Sequence, residues 1–160
     1  VAFAQSQGGR LADAAQDAVD VHALALGVHQ PQLPGAHGQD VYDLMRVPRT
    51  HTDRIKNIAV LGVKTFGWTF ANRKLAPPGP PPYVRLVAPS GAIWEWNAPN
   101  DESRVAGSAV DFCHVVTQGR NVADTVLEVV GETARRWMAI AQCFAGGPVD
   151  PPRPGERSWK

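Results

Sequence analysis

His37 and Asp40 stand three residues apart in the stretch Ala36-His37-Gly38-Gln39-Asp40-Val41-Tyr42-Asp43. On a helix that spacing makes an imidazole and a carboxylate neighbours on one face. Imidazole nitrogen and carboxylate oxygen are both ligands for a divalent cation such as zinc. The carboxylate can instead accept the other ring N–H and fix the histidine tautomer. His37 and Asp40 are therefore the candidate metal residues, while Asp43 points elsewhere on the same short helix. The competing reading is a solvated His and Asp on an exposed helix face.

Other chemistry is thinly supported. His22 and His29 have no carboxylate or cysteine spaced to join them. His114 shares a helical stretch with Asp111, a neighbour at i−3, and with Cys113, which as an adjacent residue faces away. No third partner is in view, so His114 reads as structural. Ser90 and Ser108 lack a G-x-S-x-G elbow and have ready explanations as turn and helix cap. Neither G-x-G-x-x-G nor G-x-x-x-x-G-K occurs, which removes any sequence handle for nucleotide binding. No residue is singled out as catalytic.

The chain that must position these groups has 160 residues, long enough for one domain with a core that needs no disulfide or metal staple. Hydrophobic residues make up 44% and charged residues 19%, a globular balance. Sixteen basic against fifteen acidic residues give no pull toward nucleic acid or an acidic membrane surface. Cys113 and Cys143 form no CxxC pattern and read as two buried thiols of a reducing compartment. No apolar run approaches the ~20 residues of a membrane span, and the opening Val1-Ala2-Phe3 shows no basic n-region. A cytoplasmic location is the expectation.

Residues 1–36 form an atypical leader, expected to be partly helical or disordered. Leu11 to Leu26 is an Ala-rich helical run whose methyl-lined face buries little area, broken by the Pro- and Gly-rich 27–35. A short helix from His37 ends at Val47-Pro48. Thr50 to Arg73 predicts the strongest helix, with Thr50 or Thr52 as N-cap and Ile55, Ala59, Val63, Phe66 and Phe70 on one face. Gly62 lies on that stripe and costs about 1 kcal/mol relative to Ala unless another helix comes close there.

After the stiff linker Ala76 to Pro82 the period changes. Tyr83 to Ala88 and Ala92 to Asn97 predict a hairpin around Pro89-Ser90-Gly91, and Arg104 to Ala106 a third short strand. A helix follows from N-cap Ser108 to a closing Gly119, then a strand over Thr125 to Val130. A last helix carries Ala134, Trp137, Met138, Ala141 and Phe144 on its apolar face. Residues 146–160 have no periodicity and are expected to be a disordered tail. The fold class is α+β: N-terminal helices followed by a small mixed sheet with helices packed on it.

From Ala36 to about Gly146 the sequence resembles an actinobacterial family of metal-binding proteins related to mycothiol-dependent maleylpyruvate isomerase and to the DinB-like helical bundles. Three stretches carry the resemblance: Ala36 to Val41 (AHGQDV); Thr52 to Arg73 (TDRIKNIAVLGVKTFGWTFANR); and Asp111 to Arg120 (DFCHVVTQGR), with Asp124-Thr125 and the closing Trp137 to Gln142 (WMAIAQ). The resemblance implies that residues 37–75 are the remnant of a metal-binding bundle and 83–145 a sterol-carrier-like α+β part. It implies a divalent metal, zinc by its donor set, and a small thiol as partner.

In such families the metal sits on a His of an early helix and on a Glu and a His one turn apart. His37 matches the later His. The Glu position four residues earlier is Leu33 here, and residues 1–36 offer no match for the early His. The expected metal site is thus incomplete. One hypothesis is a reading-frame slip just before His37. Thr-Trp encoded ACC-TGG, read one base late, yields Pro-Gly, the pair at Pro34-Gly35, where the family favours Trp at the second position. Resequencing the coding DNA tests this; an upstream region with no alternative frame encoding the family's motif ends the idea.

Two other functions compete with this reading. Trp94, Trp96 and Trp137 are candidate walls of a site for a small apolar ligand, against the simpler reading that they fill the core. A role in tRNA wyosine-base formation, which goes with similar sequences by resemblance, finds neither a cysteine triplet for an iron–sulfur cluster nor a basic stripe for RNA.

Overall fold

The fold is known from a computed structural model, which describes residues 50–157. The readings made for the leader 1–36 and for the short helix from His37 lie outside the described residues. A 3-10 turn, Asp53–Ile55, leads into helix α1, Lys56–Lys64, and α2, Phe66–Asn72. Strands β1, Tyr83–Val87, β2, Ile93–Trp96, and β3, Arg104–Ser108, come next. Helix α3, Ala109–Val116, a 3-10 turn at Val122–Asp124, strand β4, Glu128–Val130, and helix α4, Glu132–Ile140, complete the order.

The four strands lie in the order β2-β1-β3-β4. β1 pairs antiparallel with β2, Leu86 opposite Trp94, and parallel with β3, Val84 beside Val105. β4 returns antiparallel to β3, with Val129 opposite Val105. The chain is an α+β fold with a mixed sheet. Alternation decides its faces: Val84, Leu86, Trp94 and Val105 point into the core, while Arg85, Val87, Ile93 and Glu95 remain exposed. The inward face meets helices. Ala59, Phe66 and Phe70 join Phe112, Val116, Trp137 and Met138 in one core cluster, so the segments on either side of the proline-rich linker share a single interior. At its centre the Phe66 ring lies 5.3 Å from that of Trp137, which lies 5.8 Å from Phe112.

Local departures from the sequence expectation have local causes. The single helix expected over Thr50 to Arg73 is a 3-10 turn and two α-helices. Thr65 sits at the break, its hydroxyl donating to Leu61 O at 2.8 Å and Gly62 O at 3.1 Å, a back-bond that bends helices. The strand expected from Thr125 starts only at Glu128, because Thr125 Oγ1 donates to Val122 O and Val126 N donates to Asp111. Ser108 caps α3 as expected, accepting from Asp111 N. At its other end Gln118, not Gly119, takes the left-handed conformation, at φ 58°. Its side chain offsets that strain by donating to Ala141 O and Val149 O.

α4 ends at Ile140, before the expected Phe144, since Gln142 N turns to Thr69 Oγ1. Residues 146–157 hold neither helix nor strand, and side chains from the rest of the chain bond to them. Buried Gln142 donates to Phe144 O and Gly147 O and accepts from Val149 N. Arg73 pairs with Asp150 at 2.8 Å, Asn121 Nδ2 donates to Pro152 O, and the Asp124 carboxylate accepts from Gly155 N.

Candidate functional site

The chemistry-bearing side chains among the described residues gather where the chain entering α1 crosses α3. Asp53 fixes that entry: its carboxylate accepts from Ser90 N at 3.0 Å and Ser90 Oγ at 2.7 Å, tying the 3-10 turn to the β1–β2 hairpin. Two residues on, Ile55 O accepts from Cys113 Sγ at 3.6 Å, which holds the same turn against α3. His51, just before this clamp, thereby reaches His114 on α3. The ring centroids are 5.5 Å apart and the planes 73° from parallel. Both side chains are half-buried.

The neighbouring groups have other duties. One Asp111 carboxylate oxygen accepts from Val126 N at 3.2 Å, so this residue braces the approach to β4. Cys113 and Cys143 are free and buried, and burial pushes each thiol up to about 12. Thiols so weakly acidic are poor nucleophiles and poor ligands at neutral pH. Lys56 Nζ lies 5.2 Å from the centre of the Trp94 ring, a cation–π contact beside the same entry segment.

Among the described residues no group of three or more His, Cys, Asp or Glu is arranged to hold a metal ion. Within them His51 and His114 bring two imidazole rings together. The sequence-derived candidates His37 and Asp40 lie outside the described residues. His51 went unnoticed in the sequence for a physical reason. Its partner is distant along the chain, and the Asp53–Ser90 and Ile55–Cys113 fastenings that hold the turn in place have no local sequence signal.

The candidate ligand walls are core. Trp94 is 5% exposed and Trp137 is 1% exposed, within the Phe66–Phe112 cluster. Trp96 alone is half-buried, edge-on to Trp94 at 6.5 Å. Among the described residues no helix is long and apolar enough to cross a membrane.

Uncharacterized proteins from two strains of Mycobacterium tuberculosis are each 47% identical to this chain over 113 residues. The match covers 71% of this chain but 44% of each relative, so the chain spans less than half the length of the curated relatives it matches. No protein-family model matches the chain, and no solved structure does.

Proposed function

We propose that this chain is a divalent-metal-binding protein of the mycothiol-dependent maleylpyruvate isomerase-like group, with a reduced metal site. Zinc is the metal this reading favours. His37 serves as ligand, and Asp40 as a second ligand or as the acceptor that fixes the His37 tautomer. A small thiol is the partner that goes with the group.

One observation carries the reading: the stretches that resemble the family and fall among the described residues pack on each other. Thr52 to Arg73 provides α1 and α2, Asp111 to Arg120 provides most of α3, and Trp137 to Gln142 provides the end of α4. Phe66, Phe112 and Trp137, one from each, form the central ring cluster. At Gly62 the helices α1 and α3 approach so closely that an added Cβ would stand 2.9 Å from Val116 Cγ2. Residues far apart in sequence that resemble one family and share one interior support a common scaffold. A common scaffold is the basis for expecting a common metal. The relatives being mycobacterial agrees with an actinobacterial group.

The test is elemental analysis of the purified full chain beside His37→Ala. Zinc or another divalent ion bound to the wild type and lost in the variant is the expected result. A wild-type chain free of metal after exposure to zinc would sink the proposal.

A further inference from the structure

We propose that His51 and His114 together ligate a divalent transition-metal ion of the zinc and copper class, at the crossing of the α1 entry segment and α3. Neither residue is among the ligands that the family resemblance names, so this inference does not rest on the preceding one.

The first argument is distance. A zinc–imidazole bond is about 2.0–2.1 Å long, which puts each ring centre about 3.2 Å from the ion. At a tetrahedral angle two such centres are then about 5.2 Å apart. The observed separation is 5.5 Å. Rings sharing one ion need no common plane, so the edge-on angle of 73° is compatible with a shared ion.

The second argument is support. A ligand pair binds well when its carriers are already held in place, because little ordering is left for the ion to impose. His114 stands on a helix whose adjacent residues Cys113 and Val115 are buried in the core. His51 is followed within four residues by two fastenings, Asp53 on Ser90 and Ile55 O on Cys113. The rings are thus brought from two separate elements, one of them fastened directly to the other.

The third argument is the donor set. Imidazole nitrogens suit zinc, copper and nickel, whereas calcium and magnesium want oxygen. Two imidazoles fill two positions of a tetrahedral ion, and donors from elsewhere in the chain or from solution would fill the others.

The experiment is a calorimetric titration of the full chain with zinc chloride and with copper chloride, for wild type, His51→Ala, His114→Ala and His37→Ala. Cobalt substitution gives an independent reading through its ligand-field absorption. The expected result is an affinity at least about tenfold weaker in both His51→Ala and His114→Ala. Affinity unchanged in those two variants would overturn the proposal and leave an aromatic contact only. Loss in His37→Ala alone would do the same while upholding the His37 reading. Loss in all three variants would mean one shared ion and would support both. Loss confined to His51→Ala and His114→Ala would support this site and count against His37. Should His114→Ala lose its far-UV circular dichroism, His51→Ala, which alters no helix, decides alone.

Discussion

Cys113 and Cys143 are each 4% exposed, and desolvation by burial carries both thiols from 9.0 to about 12. For Cys113 the nearby Cys143 adds a smaller push in the same direction. The native chain therefore keeps protons that the unfolded chain gives up. The sign of the linkage follows: this stability is fully present below pH 9.0 and is lost as the pH rises toward about 12. Urea midpoints should fall across that window, and less steeply when both cysteines are replaced by alanine. At neutral pH a thiol reagent should label the native chain slowly and the urea-unfolded chain fast; equal rates would show the thiols to be accessible. Burial of the two cysteines was readable from their types and apolar neighbours. The His51–His114 contact was not, because no local spacing encodes a meeting fixed by a clamp between a turn and a hairpin.

Within the elements, glycines give the sharpest contrast. Gly62 sits where an added Cβ would meet Val116 Cγ2 at 2.9 Å and Phe112 Cε1 at 3.0 Å, both in the packed core. Gly67, near the start of α2, has nothing within 4 Å of such a Cβ. Gly62→Ala should destabilise the chain by about 1–3 kcal/mol as overpacking outweighs the helix-propensity gain. Gly67→Ala should stabilise it by up to about 1 kcal/mol. Denaturant midpoints check both, and equal shifts would contradict the α1–α3 contact. A third glycine is bound by its backbone: Gly131 has φ 85°, and a Cβ there would lie 2.3 Å from Glu102 O. Gly131→Ala should therefore lower the melting temperature more than Gly62→Ala. Strands and helices were legible where period alone decides, as along Tyr83 to Val87 and from the Ser108 cap. The break at Thr65 was not, because a hydroxyl returning to Leu61 O leaves the apolar period intact. The end of α4 was hidden likewise, since the Thr69 hydroxyl that draws off Gln142 N lies 73 residues away in the chain.

At the scale of the whole molecule, the C-terminal stretch is held by single side chains reaching to its backbone. Gln142 makes three of these bonds, with Phe144, Gly147 and Val149. Gln142→Leu keeps the volume and removes the bonds. It should open residues 143–150 to protease and raise their amide exchange, while exchange in β1 and β3 stays slow. Uniform acceleration across the chain would instead mean that Gln142 supports the entire core. A Pro- and Gly-rich tail carries no periodic signal of such bonds, which is why they escaped sequence reading. The sheet adds a consequence in time. β1 lies between β2 and β3, although it precedes both in the chain. A ribosome delivers it first, then its antiparallel neighbour, and roughly 12 residues later its parallel one, a delay of about 0.6–2.4 s at ordinary elongation speeds. For that interval the central strand is paired along one side only. Whatever guards a nascent chain against sticking to its neighbours has its work concentrated there.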